Sequence, residues 1–306
     1  MARIAVVGSY GVGMTMTVPR IPAPGETLQA TGFDLGAGGK GSNQAICARR
    51  LGAEVEFLTC VGPDDFGAAA RALWEREGVG ASYLKVGTRP TMVGFILVEP
   101  NGENRITIAP GALDELGPEE VERFRPAIEA ADLCLVGLEI PLPTATAALE
   151  MARRVGTPTL LNPAPARPLS ERTLALVDYL TPNRGEAQAL LGWEGEEEPE
   201  ALLAGLRQRC PGGVVLTLGG EGALLAPAGG DVRRVPAVVP RRVVDTTGAG
   251  DAFNAALAVA LAEGQGLERA VACACAAGAH AVETLGVIDA LPYRHQIPCL
   301  VGADAD

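Results

Sequence analysis

The sequence predicts an α/β fold, a three-layer sandwich in which helices cover both faces of a mainly parallel sheet, with a small β-sheet lid attached. Three observations predict it. Short β-branched or leucine-rich runs recur along the chain, amphipathic stretches of helical period separate several of them, and two segments, about 14–35 and 91–109, break the rhythm with turn-rich, strand-like sequence. Strands buried on both faces read as near-continuous apolar runs, and their alternation with helical patterns marks parallel βαβ units.

Taken in order, residues 4–7 form the first strand, and Gly8 and Ser9 end that apolar run too early for the core of a secretory leader. Residues 55–60, 133–138, 159–161, 179–181 and 214–218 supply the other strands. Within the second irregular segment, 91–99 and 105–109 flank Pro100-Asn101-Gly102-Glu103, a connection suited to an antiparallel hairpin. Both irregular segments are assigned to the lid. The acidic, proline-broken stretch 195–200 is a solvated loop before the helix 201–209. At 306 residues the chain reads as one domain, 1–306, with the lid as its appendage.

Composition removes several classes of function. A formal net charge of −12 opposes nucleic acid and anionic membranes, whose phosphates need a basic footprint. With 48% apolar and 20% charged residues and no run of about 18 uncharged apolar residues, the chain reads as globular rather than membrane-spanning. Seven cysteines sit mostly in apolar segments without a CxxC pair, and only two histidines accompany them. Buried reduced thiols in a cytoplasmic protein are expected, rather than a zinc site.

Two segments carry chemistry. In the string 245–254, Asp-Thr-Thr-Gly-Ala-Gly-Asp-Ala-Phe-Asn, Gly248 and Gly250 allow a tight turn into a helical run. A helix start exposes unpaired N–H groups and a positive dipole end, so it is a ready anion site. Asp251 would repel an anion there unless it had a task, and accepting the proton of an attacking hydroxyl is that task in phosphoryl transfer. The second segment is Gly36-Ala37-Gly38-Gly39-Lys40-Gly41-Ser42-Asn43, ahead of a helix expected over 44–51. Its lysine is followed by glycine and no strand runs straight into it, so it is not a Walker loop. It reads as a flexible glycine loop bringing Lys40 and Asn43 to a small polar ligand.

At these segments the sequence resembles the ribokinase branch of the PfkB carbohydrate-kinase family. The likeness runs through Pro24-Gly25-Glu26-Thr27, Gly38-Gly39-Lys40-Gly41-Ser42-Asn43-Gln44-Ala45 and Cys60-Val61-Gly62-Pro63-Asp64-Asp65-Phe66-Gly67. It continues in Gly102-Glu103-Asn104, Leu138-Glu139-Ile140-Pro141, Leu161-Asn162-Pro163-Ala164-Pro165, Thr181-Pro182-Asn183, Thr217-Leu218-Gly219 and the 245–254 string. The resemblance implies a ribokinase-like sandwich and transfer of the ATP γ-phosphate to a primary hydroxyl of a sugar-like acceptor. It implies Asp251 as base, with the backbone of Gly248, Ala249 and Gly250 as anion hole. Gly39, Lys40, Asn43 and Glu139 fall on sugar-holding positions. Asn183, Thr217, Gly219, Gly222 and Gly250 fall on nucleotide contacts, with Cys275 near the adenine edge. Asn183 and Glu186 form the family's NxxE pattern, which organises Mg²⁺ largely through water. Asp245 and Thr247, with backbone at Ala281, Thr284 and Gly286, match a loop for a monovalent cation such as K⁺, although Ala290 stands where ribokinases usually supply a hydroxyl.

The sequence departs from that pattern after the first strand. Ribokinases read Gly-Ser-x-Asn-x-Asp there, and the asparagine and aspartate bind sugar hydroxyls; here the string is Gly8-Ser9-Tyr10-Gly11-Val12-Gly13. Glycine at 11 and 13 is expected to enlarge the pocket floor and to weaken binding of free ribose by about two orders of magnitude, since each lost hydrogen bond costs roughly 1–3 kcal/mol. Tyr10, water or a lid residue could compensate. A nucleoside acceptor is the alternative within the chemistry, and a non-catalytic ligand sensor the alternative outside it, which Asp251 opposes. Met92, Phe95, Ile96 and Val98 on the lid suggest a homodimer that buries one lid face.

Overall fold

The computed structural model of the chain describes residues 1–301. The chain opens with β1 (Arg3–Val7), then the antiparallel pair β2 (Gly11–Thr17) and β3 (Gly32–Gly38), then α1 (Lys40–Arg50) and β4 (Glu54–Leu58). Short β5 (Cys60–Val61), α2 (Asp65–Glu77) and short β6 (Lys85–Val86) lead to the hairpin β7 (Val93–Val98) and β8 (Asn104–Ala109). There follow α3 (Pro118–Ala130), β9 (Leu133–Gly137), α4 (Leu142–Val155), β10 (Thr159–Asn162), α5 (Glu171–Leu174), β11 (Tyr179–Leu180), α6 (Arg184–Leu191), α7 (Pro199–Arg209) and β12 (Gly213–Thr217). The last part holds β13 (Ala223–Ala226), β14 (Arg233–Val235), α8 (Ala249–Ala262), α9 (Leu267–Ala281), α10 (Val287–Ala290) and α11 (Pro298–Val301).

Eight strands form the main sheet in the order β14-β13-β12-β11-β10-β9-β1-β4. The run from β12 to β4 is parallel, and β13 and β14 add an antiparallel edge. Period-two alternation divides each strand between two cores. Ile4 and Val6 of β1 pack with α1, α2, α8 and α9, while Ala5 and Val7 pack with α3, α4, α6 and α7. Both faces are therefore apolar, which is why these strands read as continuous apolar runs.

The expected strands are present, but the antiparallel edge was not foreseen, because 223–226 and 233–235 are short and follow glycine turns. The run expected over 55–60 divides at Thr59: β4 joins the main sheet, and β5 pairs with β6 instead. Cys273 and Cys299 are disulfide-linked, their Cα atoms 5.7 Å apart, so the expectation of reduced thiols throughout fails at this pair. The physical reason is that α11 folds back beside α9, a contact the sequence did not announce. The other five cysteines are free and buried. Among the described residues no helix is long and apolar enough to cross a membrane.

A separate four-stranded sheet, β3-β2-β7-β8, is built from the two irregular segments. Its pairings fix its faces. Gly36, Gly13 and Gly94 lie side by side across β3, β2 and β7, and one residue along, Leu35, Met14 and Phe95 form the neighbouring row on the opposite face. Phe95 therefore does not share a face with Ile96 and Val98 on β7. Met92 lies buried beneath the sheet. The single apolar lid face expected from these four residues is corrected accordingly: exposed apolar side chains lie on both faces, Phe33, Leu35 and Phe95 on one and Ile106 and Ile108, beside Ile96 and Gly94, on the other.

Candidate active site

The site gathers where β1, β9 and β10 end and where α1 and α8 begin. α1 starts at Lys40, four residues before the expected helix, so Lys40, Gly41, Ser42 and Asn43 are its first turn and not a flexible loop. Glycine is required here by close packing: a Cβ on Gly41 would lie 2.5 Å from the Ser9 nitrogen, and one on Gly39, at φ 90°, 2.6 Å from the Tyr10 Cα. The helix start is thus pressed backbone-to-backbone onto the turn after β1. The Glu139 carboxylate fastens this junction, accepting the Ser9 hydroxyl and the Lys40 backbone N–H, the latter at 2.9 Å.

Asp251 occupies the first turn of α8 and is only 6% exposed. Its carboxylate accepts the Asn43 amide at 2.8 Å and the Gln44 amide at 3.0 Å, and the Gln44 amide also reaches the Asn162 carbonyl oxygen at 3.1 Å. Burial is the largest influence on Asp251 and raises its pKa to about 6; Lys40, Asn43 and Gln44 oppose that rise, and Glu139 adds to it. Burial works against the Lys40 ammonium, yet the carboxylates of Asp251, Glu139 and Glu186 together hold its pKa above the ordinary lysine value. Both amides turn their N–H groups to Asp251, which leaves the buried carbonyl oxygens of Asn43 and Gln44 without partners. A hydroxyl donor entering the site would satisfy them, because buried polar atoms are rarely left unpaired.

The turn Gly248–Gly250 leads directly into Asp251 at the start of α8. Gly248 sits in the left-handed region at φ 83°, no side chain caps the helix, and a Cβ on Gly250 would meet nothing within 4 Å. The Asn254 amide bonds the Gly250 carbonyl at 2.8 Å and its carbonyl oxygen accepts the Thr181 hydroxyl at 2.5 Å, which holds the turn against β11. Asp245 accepts the backbone N–H and hydroxyl of Thr247 and, from across the loop, the Gly286 N–H at 3.1 Å. The stretch 245–247 is thereby tied to the 281–286 segment that contains Ala281 and Thr284. Partial burial would raise the Asp245 pKa, but these donors hold it below the usual carboxylate value.

Asn183 and Glu186 cap α6 reciprocally, and Thr217 bridges Asn183 from β12. Burial raises the Glu186 pKa, the Asn183 N–H and Lys40 oppose it, and Asp251 raises it further, so the Glu186 and Asp251 carboxylates feel each other. Gly219 and Gly222 both take positive φ beside Thr217, and the space at Gly219 is open. Cys275 is different: it lies on α9 within the helical core and is 8% exposed, so it offers a ligand little surface.

Gly11 and Gly13 open β2, at the root of the small sheet. The expected enlargement at Gly11 is corrected: a Cβ there would lie 2.4 Å from the Met92 Cε, so that volume is filled. At Gly13 the nearest atom is the Ile96 Cδ1 at 3.6 Å, and that space does remain. Tyr10 is not a substitute partner for a ligand, because it is buried edge-on against Trp74 in the core, with ring centroids 5.2 Å apart. Sequence reasoning gave Gln44 no contact with Asp251 and put Met92 on the lid surface rather than against Gly11. The Gly-Ser-Asn-Gln order before an apolar helix was the available signal for Gln44, whereas Met92 is recognised only through the strand pairing.

The model of the pfkB family of carbohydrate kinases matches residues 1–294. A ribokinase of Bacillus subtilis is 36% identical over 297 residues, covering 97% of this chain and 98% of the relative. A deoxyribokinase of Salmonella typhimurium is 34% identical over 297 residues, covering 96% of each. The structure of Arabidopsis thaliana ribokinase complexed with ribose and ATP superposes with a TM-score of 0.89 at 30% identity, covering 98% of this chain and 99% of that one.

Proposed function

The chain belongs to the pfkB family of carbohydrate kinases, and on that premise we propose that Asp251 is the base by which it transfers the ATP γ-phosphate to a primary hydroxyl of a sugar-like acceptor. It is a ribokinase-type sugar kinase, a phosphotransferase acting on a hydroxyl. The observation that carries the assignment of roles is the Asp251 carboxylate, buried at the start of α8 and held by two amide donors. With a pKa of about 6 it is ionised at neutral pH yet basic enough to share a hydroxyl's proton as the new bond forms. A ligand sensor would have no use for such a group beside an anion site.

In this reading the acceptor lies between Lys40, Asn43, Glu139 and Asp251, with its reacting hydroxyl at Asp251. The N–H groups of Gly248, Ala249 and Gly250 receive the negative oxygens of the phosphoryl group in flight. Lys40 adds a fixed positive charge. The nucleotide lies along Asn183, Thr217, Gly219 and Gly222, with Cys275 at most a marginal contact.

Among the described residues no group of three or more metal-ligating side chains is assembled. Mg²⁺ fits nonetheless as an ion carried mainly by water and phosphate, because Glu186 and Asp251 are mutually repelling carboxylates that a nearby cation would relieve. When bound, it neutralises the charge of the phosphate oxygens. A monovalent cation such as K⁺ fits the loop at Asp245, Thr247, Ala281, Thr284 and Gly286, without the hydroxyl that position 290 lacks. The chain acts in the cytoplasm as one kinase domain with a β-lid. The exposed apolar lid residues, Phe33, Leu35 and Phe95 on one face and Ile106 and Ile108 on the other, support a homodimer, which sedimentation mass would check.

The test is ADP formation from ATP and Mg²⁺ over a panel of pentoses, hexoses, deoxysugars, polyols and nucleosides, with and without K⁺. Acceptor-dependent ADP is expected for at least one compound. No acceptor-dependent turnover across the panel would overturn the reading.

A further inference from the structure

Met92 lies where the small sheet meets the main domain. It is 7% exposed and packs in the core cluster that includes Leu138 and Ile140, the two neighbours of Glu139. Its backbone carbonyl accepts the Val12 N–H at 2.9 Å, and its Cε and Cγ stand 2.4 and 3.1 Å from where a Cβ of residue 11 would be. The thioether therefore fills the volume that any side chain on residue 11 would enter. Position 11 is where the family pattern places an asparagine that binds a sugar hydroxyl. A buried sulfur of this kind offers apolar surface and only a weak acceptor.

Of the neighbouring positions on the same sheet face, only Asp34, whose carboxylate oxygen lies 3.7 Å from where a Cβ of Gly36 would be, and Thr15 opposite it carry side chains able to bind a hydroxyl. Next to Gly13 stand Gly36 and Gly94; a Cβ on Gly94 would meet nothing within 4 Å, and beyond Gly13 lies the Ile96 side chain. The polar end of the acceptor site, by contrast, is complete: Lys40, Glu139, Asp251 and the unpartnered Asn43 carbonyl oxygen lie together. Polar recognition is concentrated at the reacting end; the opposite wall is methionine and bare backbone at positions 11, 13 and 94, with the Asp34 carboxylate at its margin beside Gly36.

Resting on the kinase reading above, we propose that Met92 is a specificity-determining residue. It replaces a hydroxyl-binding amide by an apolar wall, and so selects an acceptor whose edge facing residue 11 carries no hydroxyl donor. Discrimination follows from the buried partner a hydroxyl would fail to find there. Ribose is the informative probe, because its hydroxyls would be stranded against that wall.

The test exchanges the two residues, Gly11→Asn with Met92→Gly, which removes the side chain occupying the space and supplies the amide. The unaltered protein, both single variants and the exchange are compared for ribose-dependent ADP formation, with the thermal midpoint as a check on folding. The exchange should lower the KM for ribose about tenfold with kcat little changed, which is the effect of one regained buried hydrogen bond. Gly11→Asn alone should lower the thermal midpoint and gain nothing, since it collides with Met92, and the two changes should be non-additive. A ribose KM in the unaltered protein as low as in the exchange, or no gain in a folded exchange variant, would overturn the proposal while leaving the kinase reading intact if any acceptor is phosphorylated. If no compound yields ADP, the kinase reading fails instead, and ribose titration calorimetry on the two proteins decides the question: tighter binding by the exchange supports the role of Met92 and equal binding overturns it.

Discussion

The two ends of the proposed acceptor site are built on opposite terms. At the α8 end Asp251 is buried, doubly bonded by amides and backed by a second layer in Asn162, so each polar group is placed by another. At the lid end, Gly13 and Gly94 offer backbone and space, Met92 fills the volume at Gly11 with a hydrocarbon-like wall, and the Asp34 carboxylate stands beside Gly36. A proton acceptor must be held within a few tenths of an ångström and kept from water, whereas a specificity wall must only exclude or admit. On the proposed roles, the difference teaches that the reaction would be encoded where contacts are dense and the choice of acceptor where they are sparse, so the second could change without disturbing the first.

The largest expected effect strikes the dense end. Asp251→Asn preserves shape and removes the proton acceptor, so kcat should fall by about 10² or more with ATP affinity little altered, in steady-state assays with a proven acceptor. Near-normal turnover would break the comparison at its strongest point. Gln44→Leu tests whether the second layer matters. It deletes one donor that stabilises the ionised Asp251, so the pKa of the base should move above about 6. Because the base works only when ionised, kcat/KM falls on the acid side. That limb of the pH profile should therefore shift to higher pH in the variant, with kcat near neutrality reduced about tenfold. An unmoved acid limb would mean that Gln44 is only structural.

The smallest effect belongs to the sparse end. If the β3-β2-β7-β8 sheet closes over the acceptor, amide exchange in 11–17, 32–38 and 93–109 should slow when a substrate binds, while β1 and β9 change little. Equal protection with and without a proven substrate would remove the closing role from the sheet.

Much of the main sheet was legible because its strands are buried on both faces, so that 133–138 and 214–218 could be read as apolar runs without any knowledge of their neighbours. The edge strands at 223–226 and 233–235 lack that signal. Asp251 and the Gly248–Gly250 turn could be read because a helix start after glycines is a local feature. Gln44 could be named as a motif residue but not given a task, since its partners Asn162 and Asp251 are remote in the chain. Met92 was misassigned to an exposed lid face for the same reason: its meeting with Gly11 depends on strand pairing across some 80 residues of chain. The start of α1 was misplaced because glycines argue for a loop by propensity, and here tertiary packing against Ser9 and Tyr10 overrides them.

The double attachment of Glu139 has a mechanical meaning. Two neighbouring strands of the small sheet, the edge strand β3 and its partner β2, meet the main domain side by side, β2 just after Ser9 and β3 just before Lys40, and one carboxylate pins both junctions. From the Gly11–Gly38 pair to the Thr17–Gly32 pair the arm is about 20 Å long at ~3.3 Å per residue. If the small sheet tilts as a lid, the arm is a lever and Glu139 its fulcrum. A tilt of about 10° at the pinned end would sweep the far end through about 3 Å, roughly the thickness of a sugar ring, while displacing Lys40 by only a fraction of an ångström. The leverage also runs in reverse: a load on the far end, such as contact with a second copy of the chain, arrives at Ser9 and Lys40 multiplied in force and reduced in travel.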